Sequence, residues 1–184
     1  TSLYSNSDNG EYPNDIQQTD DGGWIVAGRS TLGAFYDAWV TKWKPCGGIE
    51  WSYKYEGQED NSDYERFHAV RQTTDGGYIV TGYRYSTYDQ YYWHLKLSSN
   101  GAVEWEKLYK VTEVRSVKVC ATADGGYITL GSTSTGYPDH QTVVSKFSTD
   151  GAVEWSYRME WSYYIDPEEG SIIPSENDIQ QVKD

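Results

Sequence analysis

The chain has 184 residues, which is enough for one domain with a core of its own. Its 28 Asp and Glu outnumber its 15 Lys and Arg, and the net charge of −13 argues against nucleic acid and anionic membrane surfaces as partners, because both would repel it. No apolar run approaches the roughly 18–20 residues of a membrane-spanning helix, so membrane insertion is not expected. This composition fits the solvated surface of an extracellular or cell-surface protein.

The chain contains one sequence motif three times. Its 18 Tyr and 8 Trp also favour β-strands. The three versions are QTDDGGWIVAGR at residues 18–29, QTTDGGYIVTGY at residues 72–83 and ATADGGYITLGS at residues 121–132. Four markers keep the same phase, at intervals of 54 and then 49 or 50 residues. The markers are Asp21, Asp75 and Asp124; Gly28, Gly82 and Gly131; Lys42, Lys96 and Lys146; and Trp51, Trp105 and Trp155. A fixed period in this range indicates a repeat architecture.

Each repeat contains four strand-like runs, which the second repeat displays best. The runs HAVRQT and GYIVTGY flank a Thr-Asp-Gly-Gly turn, and YYWHLKL and AVEWEKLY flank SSNG. Asp-Gly and Asn-Gly between alternating runs are strong hairpin signals, because the tight turn needs positive φ at its central residues. Each unit is therefore predicted to be a four-stranded antiparallel meander, the pattern of a β-propeller blade.

Taken in chain order, the predicted elements divide the sequence into five parts. Residues 1–13 are the end of a preceding blade's fourth strand and a link, and residues 14–65, 66–115 and 116–165 are blades one to three. Residues 166–184 are a loop or arm followed by the first strand of an incomplete fourth blade. The predicted fold is all-β, with β-propeller-type repeats of about 50 residues, three full blades and partial end strands.

The pattern TxDGGYIVxG…W-x-x-K-x-x-x-x-G-x-x-E-W…Y resembles a class of repeats in secreted and surface proteins of bacteria, archaea and some protists. That class is written approximately as QTSDGGYIVAG…DxWLVKLDxNGxxxWxKxYGG. The resemblance covers nearly all of residues 14–165 and implies a β-propeller related in style to kelch-like repeats. The chain departs from it at KPCGG, at VVSKFS, where Val143 replaces the third-strand Trp, and throughout its tail. The resemblance implies no shared catalytic set.

The two ends carry an identical segment, NDIQQ, at residues 14–18 and 177–181. Propellers typically have four to eight blades, so three blades would leave a gap and exposed strand edges. We expect self-association, by ring completion or a head-to-tail filament, or continuation in a longer parent chain. The residues expected to mediate assembly are Asn177, Asp178, Ile179, Gln180 and Gln181.

The loops between the second and third strands, called rim loops here, are rich in Tyr and Asp. They span residues 33–39, 83–93 and 135–140. Aromatic faces beside carboxylates suit sugar rings or a protein interface, and packing of the tyrosines against neighbouring blades is the alternative. The candidate ligand-binding residues are Phe35, Tyr36, Asp37, Tyr85, Tyr88, Asp89, Tyr91, Tyr137 and Asp139.

The other chemistry-bearing residues are predicted to be structural. The repeated Asp should shape its turn, and the repeated Lys should pair with Glu50, Glu104 or Glu154 of the next strand. His68, His94 and His140 fall at different repeat positions, Cys46 and Cys120 are expected to stay unpaired, and no metal or cofactor site is expected. No GxSxG elbow or phosphate-binding loop is present.

Three functions follow from these features. The first is a non-enzymatic, extracellular structural or cell-adhesion module that assembles through its incomplete ends. The second is a lectin-like, carbohydrate-binding propeller that uses the rim loops. The third is a propeller glycosidase or lyase, which ranks last because no acid pair or metal set stands out.

Overall fold

The computed structural model describes residues 10–32, 35–55, 64–85, 89–111, 116–136, 139–160, 163–165, 172–174 and 178–181. Every regular element within these ranges is a β-strand, so the predicted all-β class is confirmed. None of the described residues belongs to a helix long and apolar enough to cross a membrane.

Twelve of the strands form three antiparallel meanders. The first meander contains β1 (Glu11–Gln18), β2 (Trp24–Leu32), β3 (Phe35–Trp43) and β4 (Ile49–Lys54). The second contains β5 (Tyr64–Gln72), β6 (Tyr78–Tyr85), β7 (Gln90–Leu97) and β8 (Val103–Val111). The third contains β9 (Ser116–Ala121), β10 (Tyr127–Gly136), β11 (Asp139–Phe147) and β12 (Val153–Glu160). Three short strands follow: β13 (Tyr163–Ile165), β14 (Ile172–Pro174) and β15 (Asp178–Gln181).

The hairpin turns lie where the Gly-rich motifs predicted them. The turn of the second meander between β7 and β8 is closed by Ser98 and Ala102, and Gly101 adopts a φ of 83° that favours glycine. A bulge then follows the repeated lysine in the pairing of the third and fourth strands of all three meanders, as between Lys96 and Leu97.

One parallel bridge, between Tyr36 and Tyr64, joins the first two meanders into an eight-stranded sheet among the described residues. The third meander and β15 form a separate sheet with the order β15-β12-β11-β10-β9, and β13 and β14 form a two-stranded sheet. β15 thus occupies the β12 edge of its own chain.

The second meander packs on both of its faces, as its strand alternation requires. Tyr78 and Val80 of β6 lie in an apolar cluster shared with the first meander, where they meet Ile25 and Val40. Ile79 lies between them in sequence and points the other way, into a cluster with Tyr127 of the third meander. The three meanders therefore stack face to face.

Two of the repeated glycines lie where a first strand passes close to a second strand. A Cβ on Gly82 would lie 2.8 Å from the Cα of Phe67, next to a bulge in β5, and a Cβ on Gly28 would lie 2.9 Å from the Cα of Pro13. At both positions the backbone of the first strand leaves no room for a larger side chain. At Gly131 the close neighbour is instead the side chain of Tyr92.

Candidate binding surfaces

A repeated ion-paired turn precedes the second strand of each meander. In the first meander Lys42 is only 2% exposed, and its Nζ donates to Asp21 at 2.7 Å and to Glu50 at 3.3 Å. Asp21 also accepts from the backbone N–H of Gly23. A Cβ on Gly23 would lie 2.5 Å from Lys42 Nζ, so glycine leaves the room that the ammonium group needs.

The same arrangement recurs in the other two meanders. The contacts are Lys96 Nζ to Asp75 at 2.8 Å and Glu104 at 3.0 Å, and Lys146 Nζ to Asp124 at 3.0 Å and Glu154 at 3.3 Å. The predicted pairing of the repeated Lys with the Glu of the next strand is confirmed. The turn Asp is a second partner that sequence reasoning missed, although its separation of 21 or 22 residues from the Lys signals it.

These contacts keep the turn carboxylates ionised in acid. Hydrogen bonds from Lys42 and Thr19 lower the pKa of Asp21 far below its usual value. At Asp75 desolvation raises the pKa, but donation by Lys96 and Thr73 outweighs it and lowers the pKa from 3.8 to about 2. The stability that such a pair contributes is present above about pH 4 and is lost as the pH falls through the folded pKa. The turns serve the fold and place no raised-pKa carboxylate for acid catalysis.

Four tyrosines and one arginine form a row across five strands of the eight-stranded sheet. The Arg29 guanidinium lies 5.1 Å from the Tyr12 ring centroid and 4.4 Å from that of Tyr36. The Tyr36 ring is 5.4 Å from Tyr64, which is 6.2 Å from Tyr85. Tyr12 and Tyr85 are 47% and 38% exposed. We call these five residues the tyrosine array.

The tyrosine array includes two of the predicted ligand-binding residues, Tyr36 and Tyr85. Sequence reasoning missed Tyr12 and Tyr64, because neither lies in a rim loop and Tyr64 reaches Tyr36 only through the β3–β5 bridge. The strands also extend further than predicted. Residues 35–39 lie in β3 rather than in a loop, because β2 and β3 stay paired as far as Leu32 and Phe35.

Two of the predicted rim-loop aspartates form ion pairs with lysines of the fourth strands. Asp37 lies 3.0 Å from Lys54, and Asp89 lies 2.7 Å from Lys110. Tyr91 OH also donates to Asp89 at 3.2 Å. A ligand hydroxyl at either carboxylate would therefore meet an ion pair rather than a lone acid. Tyr88 and Tyr137 lie outside the described residues, and Asp139 begins β11.

The first NDIQQ segment fastens β1 to β5 of the second meander. Its side-chain contacts are Asn14 Nδ2 to Phe67 O at 2.6 Å, Asp15 Oδ2 to Val70 N at 3.0 Å and Gln17 Oε1 to Gln72 N at 2.8 Å. In the second copy Asn177 lies outside the described residues, while Asp178, Ile179, Gln180 and Gln181 form β15 and pair with β12. That this copy replaces β1 in another chain stays a prediction.

The outer face of the first meander, which points away from the second, carries exposed apolar side chains. Ile16 is 59% exposed and Trp24 is 41% exposed. They border an open pocket of about 360 Å³, which is lined by Ile16, Trp24, Val26, Trp43, Lys44, Pro45 and Gly47. The pocket is therefore an apolar concavity on the outer face of the first meander.

The histidines and cysteines form no further site in the part of the chain that the structure describes. Cys46 and Cys120 are exposed free thiols, and no cluster of three His, Cys, Asp or Glu that could hold a metal was found there. His94 is 2% exposed among Tyr109, Tyr127 and Phe147, with ring centroids 4.8–5.6 Å away. It is a packed core histidine.

Comparison of the chain with models of protein families and with curated proteins gave no match. The function is therefore inferred from the geometry of the chain itself.

Proposed function

We propose that the chain is a β-propeller-type repeat module, extracellular or at the cell surface, that acts without catalysis as a structural or adhesive scaffold. Its units stack through their faces, and its two outer faces accept further units from other copies of the chain. The same faces would accept further blades of a longer polypeptide. Ring completion and a head-to-tail filament are the two forms that such stacking produces.

One observation carries this proposal: the outer face of the first meander repeats a face that is buried within the chain. Val70 and Tyr78, on the second meander, are 0% and 2% exposed against the first meander. Their equivalents 54 residues earlier are Ile16 and Trp24, which are 59% and 41% exposed. Apolar residues kept at interface positions but left in water favour a surface that another unit covers.

The opposite end of the stack supports the same conclusion. Leu130 of β10 is 45% exposed, whereas its equivalents Ala27 and Thr81 are fully buried between meanders. Tyr157 of β12 is 37% exposed on the last meander. Both ends therefore offer apolar surface, and the two surfaces differ, as a head-to-tail interface requires.

Light scattering after size exclusion tests assembly directly. We expect the mass to rise with concentration from 21.0 kDa to multiples of it, because stacking buries both outer faces. Salt should favour association, since each copy carries a net charge of −13 and copies repel one another. Negative-stain microscopy separates rings from fibres. A constant 21.0 kDa species at every concentration and salt would contradict the proposal.

A second function, carbohydrate binding, is favoured by the tyrosine array. Its two exposed rings are Tyr12 and Tyr85. Half-buried Tyr36 and Tyr64 connect Tyr85 to Arg29 through tilted and edge-on ring contacts, and Arg29 lies between Tyr12 and Tyr36. Aromatic faces stack on the apolar side of a sugar ring, while guanidinium N–H groups can donate to its hydroxyls.

A glycan array followed by calorimetry tests this second function. For any glycan bound, we expect Tyr85→Ala to weaken the affinity roughly tenfold, about 1.4 kcal/mol, because it removes an exposed stacking surface. Leu108→Ala is the matched control, since Leu108 is 39% exposed but lies in β8, outside the tyrosine array and the two outer faces. Equal losses for both variants, or no glycan bound by the intact protein, would reject carbohydrate binding at the array.

A further inference from the structure

The first internal interface is anchored by an indole that inserts into the next meander. Trp51 of β4 packs edge-on against Tyr78, with ring centroids 5.6 Å apart. Its Nε1 donates to the backbone carbonyl of Ser99 at 3.2 Å. A Cβ on Gly101 would lie 2.7 Å from the Trp51 ring, so the indole rests directly on the glycine of the turn.

The second internal interface repeats this arrangement. Trp105 stacks against Tyr127 at 6.1 Å, and its Nε1 donates to Thr149 O at 3.2 Å. A Cβ on Gly151 would lie 3.0 Å from Trp105. A fourth-strand Trp thus enters a slot in the following unit. The slot consists of a second-strand aromatic ring, a turn carbonyl and a turn glycine.

The first meander carries the same slot on its outer face. Trp24, Pro45 and Gly47 stand 54 residues before Tyr78, Ser99 and Gly101. The turns match in detail: Gly47 N–H donates to Lys44 O at 3.0 Å, as Gly101 N–H donates to Ser98 O at 3.0 Å. The φ angles of the two glycines are 86° and 83°. These slot residues line the 360 Å³ pocket, which we call the indole slot.

The third meander carries the tryptophan side chain that matches this slot, and we call that side chain the knob. Trp155 of β12 is the third member of the series that contains Trp51 and Trp105. It lies on the last meander, where its ring packs 5.4 Å from Tyr157. β15 covers only residues 157–160 of β12, so it does not pair with Trp155.

We propose that Trp155 of one copy inserts into the indole slot of a second copy, against Trp24, Pro45 and Gly47. This rests on the assembly proposed above and names the contact that drives it. The occupant is a second copy, because the two internal interfaces show that a fourth-strand Trp fits this slot, and the chain itself carries such a Trp on its opposite face. The indole N–H donates to the carbonyl of Pro45, as Trp51 donates to Ser99.

Two variants divide the contact into its halves. Trp155→Ala removes the knob and keeps the slot. Ile16→Arg places a long charged side chain at the mouth of the slot and keeps the knob, and folding should tolerate it because Ile16 is 59% exposed. Val103→Ala, at a 46% exposed position in the middle meander, is the matched control. Circular dichroism and melting temperature check that each variant folds.

Sedimentation of each variant alone and of an equimolar mixture is the test. We expect Trp155→Ala and Ile16→Arg each to weaken association at least about tenfold, while Val103→Ala leaves it unchanged. In the mixture, Trp155 of the Ile16→Arg variant can enter the intact slot of the Trp155→Ala variant. We therefore expect a heterodimer of about twice 21.0 kDa. Trp155→Ala that associates like the parent would overturn this inference and leave assembly standing. A parent that stays at 21.0 kDa would overturn both.

Discussion

Replacing Trp93 by Ala is expected to lower the free energy of unfolding by about 3–5 kcal/mol, the usual cost of truncating a buried aromatic side chain. Trp93 is 0% exposed in β7, and its ring lies 4.3 Å from Phe67 and 4.6 Å from Tyr55. Because Tyr55 follows the first meander, the cavity would open in the cluster that joins two units. Equilibrium unfolding in urea, followed by circular dichroism, measures the change.

The matched control for this cavity is Trp24→Ala, the same substitution at a 41% exposed position. In dilute protein we expect it to cost roughly half as much as Trp93→Ala, since 41% of the Trp24 side chain is already exposed to solvent. Trp93→Phe should also cost less than Trp93→Ala, because it keeps an aromatic ring and removes a buried indole N–H that has no partner among the described residues. Similar losses for Trp93→Ala and Trp24→Ala would contradict the placement of the core.

Acidification should destabilise the protein through His94 well before its carboxylates titrate. Desolvation lowers the pKa of His94 from 6.5 to about 3. Between these two pH values His94 is therefore protonated in the unfolded chain but neutral in the folded protein. Stability present above the unfolded pKa is therefore lost as the pH falls from about 6.5 toward 3, by up to about 1.4 kcal/mol per pH unit. At pH 5 this single group should cost about 2 kcal/mol.

Urea unfolding of the parent and of His94→Phe, measured between pH 7.5 and 5, tests the assignment. Phe should fill the aromatic site without titrating, and the chain itself places Val40 and Val144 at the equivalent positions. We expect the variant to lose stability less steeply with acid. Part of the slope should remain, because burial also lowers the pKa of His68 to about 4. Parallel pH profiles for parent and variant would exclude His94 as the source.

The sequence predicts the local features of the fold well because they repeat. The Asp-Gly turn before the second strand, the alternating strands and the Lys–Glu pair depend on residues that lie close along the chain, and each recurs in all three repeats. The structure agrees with these predictions at Asp21, Lys42 and Glu50 and at their equivalents. Any one copy of such a short motif would have been weak evidence.

The candidate surfaces were harder to predict because they depend on contacts between units. Tyr64 reaches Tyr36 through a bridge between non-adjacent strands, and nothing periodic marks it. The role of Pro45 and Gly47 becomes visible only when their turn is compared with the turn that receives Trp51. Likewise NDIQQ at the end of the chain matches β1 in sequence, yet its residues 178–181 pair with β12.

The position of the middle meander also determines how the chain comes apart. β5–β8 contribute to an apolar cluster on each face, so the middle meander cannot unfold without exposing both clusters to water. Either outer meander can unfold by exposing only one of them. In a stack where each unit touches only its neighbours, fraying starts at the ends and moves inward. The local free energy of unfolding should therefore be highest in the middle meander and lower in the two outer ones, even though the three meanders have similar sequences.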